Sequence, residues 1–517
     1  MRKLSDSTQI KLGAVISYMQ MGLSILIGIV YTPVMIRLLG QGEYGLYSMS
    51  SSTISMLSIL NLGFMSGYVR FYSKYRADDA YESIYKLNGL YLTIFAVLGG
   101  IALTAGLVLS NNLTYVFADG LTQEEYRTAK ILMTILAINL AISFPMGVFQ
   151  CIINANQKFV FLKLVGILRT VISPLVTLPL LLMGCRSVMM VIVQTSLSVV
   201  VDVVYVLYVF KVINMKFRFA KPEKSMMSNL FGFTIFIAIE LIVDQINWNI
   251  DRVLLGRFQG TASVAVYTVG ATLYNYYQMF STAIAGVFTP RVHRIYNSMR
   301  EDQESCNRVL TELFTKVGRC QFLLLALVAS GIVIFGRQFI HLWVGSEYNN
   351  SYYVVILLVL PATIALIQNI GIEIQRAKNM HQFRTIAYSI MAVLNLGISI
   401  ILCKQYGAIG AACGTTIALL VANGLIMNVY YHVKVGIDIK SFWINILKLS
   451  KGLIVPALFG VAYMKMSATT DMKQMMVFIP VYIVVYCCSM WIFGMNRYEK
   501  DLIRGPMQKV KRSMLHE

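Results

Sequence analysis

Residues 229–258 read NLFGFTIFIAIELIVDQINWNIDRVLLGRF, a stretch long enough to cross a bilayer as one helix. Glu240, Asp244 and Asp251 interrupt it, and their offsets of four and seven residues place the three carboxylates on one helical face. An ionisable group at membrane depth costs about 3 kcal/mol unless it is paired or hydrated, so such groups often mark an ion or substrate path. We therefore expect this helix to line a wet cavity. The alternative is that an Arg from a neighbouring helix neutralises each acid and fixes the packing.

The composition is that of a polytopic membrane protein. Of the 517 residues, 57% are hydrophobic and 13% are charged, which lies outside the range of soluble domains. The net charge of +20 does not indicate a nucleic-acid partner, because the basic residues occupy short loops between apolar runs. Polar residues 1–10 precede a long apolar run without a small-residue cleavage pattern, which predicts a first spanning helix and no removed signal peptide. The eight cysteines have no zinc spacing and are predicted to be packing residues.

Apolar runs of membrane length recur along the whole chain and predict an all-α fold with about fourteen transmembrane helices. They lie near residues 12–36, 46–68, 84–109, 129–151, 160–183, 187–210, 229–250, 262–288, 317–336, 352–374, 385–403, 408–431, 446–465 and 474–494. Of the 44 Lys and Arg residues, 33 fall at the termini and in the even-to-odd connections, ten fall on the other side, and Arg169 lies inside a span. The positive-inside rule therefore predicts that both termini are cytoplasmic.

Internal repetition predicts two six-helix lobes in a parallel pseudo-repeat, followed by two further helices. The motif RLLG at 37–40 recurs as VLLG at 253–256, and NANQ at 154–157 resembles AKNM at 377–380. Six predicted helices precede each recurrence, so both halves keep the same orientation. We predict lobes at 1–211 and 229–435, a cytoplasmic linker at 212–228, the extra helices at 436–496 and a basic cytoplasmic tail at 497–517.

Nothing in the sequence predicts an enzyme or a bound cofactor. The chain has no phosphate-binding Gly-rich loop, no nucleophile elbow and no clustered metal ligands, and the five His are isolated. The loops are too short for a soluble catalytic domain. These features favour a transporter.

Arginines at membrane depth are the candidate groups for an anionic cargo. Arg169 lies ten residues into the fifth span, from which its side chain cannot easily reach the interface. A guanidinium that faces a wet cleft would bind an anionic headgroup bidentately, and a diphosphate above all. The alternative for Arg169 is an ion pair with Asp202 or Asp244. Arg37 and Arg70 are weaker candidates, because both lie near interfaces where they can reach lipid phosphate.

Two tyrosines of the eighth span are candidate sugar contacts. Tyr267 and Tyr274 share a helical face with Gln278 and Ser281. Tyr rings and amides in a wet cleft can stack on an uncharged sugar and hydrogen-bond with it. The alternatives are an interfacial Tyr belt and ordinary packing.

Four segments carry a resemblance to a known family. They are RLLGQGEYGLY at 37–47, NLGFMSGYVRFY at 61–72, DRVLLG at 251–256 and YGAIGAA at 406–412. Together with the span count and the two halves, they resemble the polysaccharide-exporter branch of the multidrug/oligosaccharidyl-lipid/polysaccharide transporter superfamily. The Wzx-type flippases of O-antigen units are the nearest likeness, which extends over about residues 10–495.

The resemblance implies a flippase of the bacterial inner membrane. Its cargo would be an undecaprenyl-diphosphate-linked oligosaccharide, such as a unit of O-antigen lipopolysaccharide, capsule or exopolysaccharide, moved from the cytoplasmic to the periplasmic leaflet. The expected partners are this polyprenyl-diphosphate-linked oligosaccharide and membrane lipids, with a glycan polymerase as a further candidate. We expect a monomer.

We expect Glu240, Asp244 and Asp251 to be ion-coupling residues that carry a proton or a sodium ion, as in an antiporter. The expectation is that these carboxylates and the Arg169 guanidinium share a water-accessible chamber between the two halves. The alternatives are a multidrug or cation antiporter of the same fold, a flippase of peptidoglycan lipid precursors, and a structural subunit that scaffolds a glycan synthase.

Overall fold

A computed structural model describes residues 6–61, 63–117, 120–219, 224–466, 472–502 and 504. It does not describe the side chains of residues 6–11, 14, 224–233, 235–237, 466 and 472. Several predicted segments therefore lie partly outside the described residues. They include 220–223 of the predicted linker, 503 and 505–517 of the predicted basic tail, the first five residues and Leu62. The described residues form helices joined by short connections, with no strand among them. The predicted all-α class is confirmed.

By Cα proximity, the chain divides into two compact units. The first comprises Met1–Thr268 and Tyr388–Gly414, and the second comprises Val269–Ala387 and Thr415–Glu517. The predicted lobe boundaries rest on a sequence repeat and remain a prediction.

The described residues before position 260 form nine helices. Helices α1 to α9 are Asp6–Leu39, Gln41–Met56, Phe64–Ala77, Tyr81–Asn111, Leu113–Phe117, Gln123–Ala155, Phe159–Leu182, Ser187–Tyr208 and Lys224–Phe258. A 3₁₀ turn at Leu57–Asn61 joins α2 to α3, and a π turn at Val209–Ile213 ends α8. Within predicted span two, the helix therefore breaks before Gly63, which adopts a left-handed φ of 71°.

After residue 260, the described residues form nine numbered helices and, beyond them, a short helix over 497–502. Helices α10 to α18 are Thr261–Ser298, Gln303–Val344, Ser351–Leu366, Ile370–Ala377, Gln382–Leu419, Met427–Tyr430, Ile439–Ser450, Ile454–Met466 and Met472–Ser489. Further 3₁₀ turns occupy Ser346–Tyr348 and Lys451–Leu453, and π turns occupy Leu420–Ile426, Tyr431–Val435 and Met490–Gly494. Helices α12 and α13 form one broken span, bent by 41°.

Ten described helices are long and apolar enough to cross a membrane, and the bent pair α12–α13 makes eleven. One of the ten, Gln382–Val435, contains two predicted spans, because Gly407 breaks its geometry with φ 56° and ψ −133°. Helices α9 and α10 match predicted spans seven and eight in position. The predicted number of about fourteen is therefore roughly consistent with the structure.

Buried aromatic side chains form the core of the first unit beside the candidate site. Tyr68 and Tyr91 pack edge to face with ring centroids 5.1 Å apart. The Tyr68 hydroxyl donates to Oδ1 of Asn88 at 2.7 Å, and the Asn88 amide donates to the carbonyl of Lys216 at 3.0 Å. This network holds α3 against α4, and α3 forms one wall of the site described next.

Candidate functional site

A cavity of about 810 Å³ lies inside the first unit, among α1, α3, α6, α7 and α8. Its size falls within the range of small-molecule sites, which is about 300–1,000 Å³. Side chains of both signs and several amides contribute to its lining. The polar lining includes Gln20, Gln150, Asn154, Lys163, Arg169 and Asp202.

Gly166 of α7 leaves room at the cavity for the Gln20 side chain of α1. A Cβ atom on Gly166 would lie 2.6 Å from Nε2 of Gln20, so that side chain would have to shift. One turn later, the Thr170 hydroxyl donates to the Gly166 carbonyl at 2.9 Å, so this polar group is satisfied within the helix. The glycine thus brings an amide of α1 into the cavity lining.

The lining carries an excess of one positive charge, from Lys163 and Arg169 on α7 against Asp202 on α8. The Arg169 side chain is exposed, and it makes no hydrogen bond and no ion pair under 4 Å with any described residue. It interacts electrostatically with Asp202, whose Oδ2 is buried and accepts no hydrogen bond from the described part of the chain. The arrangement leaves a guanidinium available to an anionic ligand.

A second polar cluster lies where α6 ends, two residues beyond the cavity residue Asn154. The Asn156 amide oxygen accepts from Tyr72 at 2.9 Å and from Arg76 at 2.6 Å. These bonds join α3 to the α6–α7 turn. Gln157 in that turn has a left-handed φ of 57°, so the NANQ motif of the sequence analysis is a turn-forming segment.

Of the predicted substrate-binding arginines, the structure places Arg169 in the cavity lining. Arg37 lies in the last turn of α1, and Arg70 lies in the middle of α3; both side chains are exposed and neither is among the lining residues. Their roles in substrate binding remain predictions.

The three acids of α9 have unequal environments. Glu240 and Asp244 are exposed, whereas Asp251 is fully buried and its Oδ2 accepts from the Tyr267 hydroxyl at 2.7 Å. On the turn between them, Asn247 accepts a hydrogen bond from Asn395 of α14 at 3.4 Å. None of these acids is among the lining residues of the 810 Å³ cavity. The expectation of a chamber shared with Arg169 therefore gains no support from this cavity, and ion coupling stays a prediction.

The two predicted sugar contacts are buried side chains. Tyr267 is 2% exposed and bonded to Asp251, and Tyr274 is also 2% exposed. Farther along α10, Ser281 donates to the Leu366 carbonyl at 2.8 Å and accepts from Gln321. This face of α10 is packed in the structure, as the packing alternative anticipated. Contact of either tyrosine with sugar remains a prediction.

A buried ion pair in the second unit was not predicted from the sequence. Arg319 of α11 contacts Glu499 twice, with Nε 2.5 Å from Oε1 and Nη2 2.9 Å from Oε2, and the two side chains are 5% and 2% exposed. Arg319 also donates to the carbonyls of Asn445 at 2.7 Å and Gly494 at 3.2 Å. The one sequence feature that could have indicated this ion pair was an acidic residue, Glu499, within the predicted basic tail. We call these four groups the Arg319 clasp.

The described residues contain no group of three or more His, Cys, Asp or Glu side chains that could hold a metal ion. All eight cysteines are free thiols.

The fold and the cavity define a polytopic helical membrane protein with a cationic cavity inside its bundle. The family described as "Polysaccharide biosynthesis protein" matches residues 12–296, more than half of the sequence, and the protein belongs to this family. The resemblance to the polysaccharide-exporter branch of the superfamily is thereby confirmed.

Two curated relatives come from Haloferax volcanii. The probable low-salt glycan biosynthesis flippase Agl15 is 25% identical over 243 residues, which are 46% of this chain and 49% of that protein. The match thus spans about half the length of that relative. The probable flippase AglR is 21% identical over 429 residues, or 82% of each chain.

Solved structures show the same fold at low identity. The lipid II flippase MurJ in its inward closed conformation has a TM-score of 0.72 at 16% identity, over 95% of this chain and 99% of that chain. An inward-facing MATE multidrug resistance transporter of the MOP superfamily has a TM-score of 0.64 at 13% identity, over 83% and 99% of the two chains. At these identities the likeness establishes the fold alone.

Proposed function

We propose that the protein is a flippase that moves a polyprenyl-diphosphate-linked oligosaccharide from the cytoplasmic to the outer leaflet by alternating access. The finer version of the proposal has undecaprenyl as the carrier, a unit of O-antigen, capsule or exopolysaccharide as the glycan, and the bacterial inner membrane as the location. Both termini would then be cytoplasmic. The protein would act as a monomer, with a glycan polymerase as a candidate partner.

One observation carries the proposal: an available guanidinium in a polar cavity inside a membrane-spanning unit. Arg169 is exposed to a space of about 810 Å³ and has no partner under 4 Å among the described residues. Arg binds phosphate oxygens bidentately, so this site suits a diphosphate. The amides of Gln20 and Gln150 in the same lining suit sugar hydroxyls.

The comparisons support the proposal at the level of the class. The family's description is "Polysaccharide biosynthesis protein", and both curated relatives are described as probable flippases. Coupling to a proton or a sodium ion through Glu240, Asp244 and Asp251 is a further part of the proposal. The exposure of Glu240 and Asp244 is compatible with access for an ion.

A multidrug antiporter is the second candidate, because multidrug transporters share the fold. A pump for cationic drugs calls for an acidic apolar pocket, whereas Lys163 and Arg169 outnumber Asp202 in this cavity. The charge balance therefore favours an anionic cargo. A flippase of peptidoglycan precursors would bind the same diphosphate group. Identification of the transported lipid-linked glycan distinguishes that function from the proposed one.

Deletion in the native host, followed by analysis of lipid-linked glycans, tests the proposal. We expect a completed oligosaccharide to accumulate on the inner leaflet, and loss of glycan assembly itself would instead indicate a role in synthesis. Complementation with Arg169→Gln should lower export at least tenfold. Arg127→Gln on α6 is the matched control, because Arg127 is exposed and outside the cavity lining. Full export by Arg169→Gln would contradict the assignment of the site.

A further inference from the structure

An acid and a base share the cavity without forming a closed ion pair. Arg169 of α7 and Asp202 of α8 both line it and interact electrostatically, yet no ion pair under 4 Å joins them. A salt bridge that only fixes packing would be closed and satisfied by hydrogen bonds. This open pair leaves the Arg169 guanidinium accessible to a ligand, while Oδ2 of Asp202 stays buried beside it.

The buried oxygen of Asp202 needs a compensating charge. No donor of the described chain bonds to its Oδ2, and a buried unpaired carboxylate is unfavourable. The other ionisable side chains of the lining are Cys151 on α6, Lys163 and Arg169 on α7, and Tyr205 on α8. Arg169 is the cation that acts on Asp202 electrostatically. The guanidinium is therefore the natural counter-charge of this acid.

We propose that Asp202 is the internal counter-ion of Arg169 and weakens the binding of the cargo's phosphates at that guanidinium. This inference rests on the proposed function, since it concerns the same cavity and the same anionic headgroup. Asp202 is a positioning residue, because it acts on the cargo through Arg169. The carboxylate repels an incoming diphosphate and attracts the guanidinium that the diphosphate needs.

An internal counter-ion of this kind would favour release of the cargo. A transporter that binds its cargo in one state must let it go in the next, and very tight binding of one state slows that exchange. A neutral group in place of Asp202 would leave Arg169 without its internal competitor. Anion affinity should then rise while export falls.

Binding of inorganic pyrophosphate to the purified full-length protein in detergent tests this inference by calorimetry. Asp202→Asn keeps the shape of the side chain and removes its charge. We expect pyrophosphate to bind about tenfold more tightly, the order of effect that one charge removed within about 10 Å produces at an effective dielectric constant near 20. Asp202→Glu keeps the charge and should bind within twofold of the wild type.

Two further variants separate the local effect from other causes. Glu82→Gln removes an acid from an exposed ion pair with Arg218 and controls for net charge, because both side chains lie more than 60% exposed. We expect its affinity to equal that of the wild type. Arg169→Gln, alone and combined with Asp202→Asn, should abolish the binding. The melting temperatures of the variants report whether each of them is folded.

The outcomes distinguish this inference from the proposed function. If Arg169→Gln abolishes binding while Asp202→Asn leaves it unchanged or weakens it, the counter-ion role is wrong and the phosphate site stands. If Arg169→Gln binds pyrophosphate as the wild type does, the phosphate site fails and the counter-ion role fails with it. If Glu82→Gln raised the affinity for pyrophosphate as much as Asp202→Asn does, the inference would also be overturned.

Discussion

Replacing Arg319 by Met should release the short helix over 497–502 from the helices that it contacts in the second unit. In the Arg319 clasp, one guanidinium bonds to Glu499 and to the carbonyls of Asn445 and Gly494. These acceptors belong to α16, to the end of the last span and to a short helix over 497–502. Met is close in size to the Arg stem, so the change removes the charge and the donors with little loss of packing.

The size of the effect follows from the burial of the pair. Removing one partner of a buried ion pair costs about 3–5 kcal/mol, because the other charge stays desolvated. Glu499 keeps one donor, the backbone N–H of Asn496 at 2.9 Å, which favours the lower value. A loss of about 3 kcal/mol raises the open population of the short helix roughly 100-fold, at about 1.4 kcal/mol per factor of ten.

Hydrogen–deuterium exchange of residues 496–502, read by mass spectrometry, measures this opening. We expect the amides to exchange about 100-fold faster in Arg319→Met than in the wild type. Arg308→Met on the same helix is the control, because the Arg308 side chain is 78% exposed and pairs with an exposed Glu304 at 3.6 Å. Surface pairs contribute little, so its exchange should change less than about fivefold. If exchange in Arg319→Met stayed within fivefold of this control, the clasp would not hold the short helix in place.

Three further predictions follow from individual contacts. Tyr267→Phe removes the donor to the buried Asp251 carboxylate and should lower the free energy of unfolding by about 1–3 kcal/mol, measured as thermal unfolding in detergent; unchanged stability would contradict the role of this bond. Gly166→Val should reduce export of lipid-linked glycan at least fivefold, because the new side chain meets α1 and enters the cavity, whereas Gly100→Val should have little effect, since a Cβ there meets nothing within 4 Å. Asp302 caps α11, and hydrogen bonds from Ser305 lower the pKa of the Asp302 carboxyl. The cap therefore stabilises the start of α11 above the ordinary pKa of 3.8, and this stabilisation disappears as the pH falls through the lowered pKa of the folded state. Amide exchange over 303–306 should show this acid dependence in the wild type and lose it in Asp302→Asn.

The helical class and the approximate number of spans follow from the apolar runs alone. Even the break near residue 407 falls between two predicted spans, because glycine tolerates the backbone geometry found there. The predicted helix ends were less accurate than the predicted number of spans. Helix α6 begins at Gln123 and ends at Ala155, beyond the predicted 129–151, because Thr122 and Glu125 form a capping box that extends the helix outside the apolar segment.

Part of the candidate site was also visible in the sequence. Arg169 stands out because a guanidinium in the middle of an apolar run needs a reason. The amides of Gln20 and Gln150 carry no such signal, since uncharged polar residues occur in many membrane helices. Asp202 and Asp244 were both predicted as alternative partners of Arg169, and the structure places Asp202 in the same cavity.

The period and length of apolar runs are local properties, so they alone establish a bundle of membrane-spanning helices with one arginine inside a span. Which charges meet depends on how the helices pack. Arg319 and Glu499 are 180 residues apart, and no local pattern encodes a contact at that separation. The same holds for the acids of α9, which share a helical face in the sequence but differ in burial, because burial depends on the helices packed around each turn.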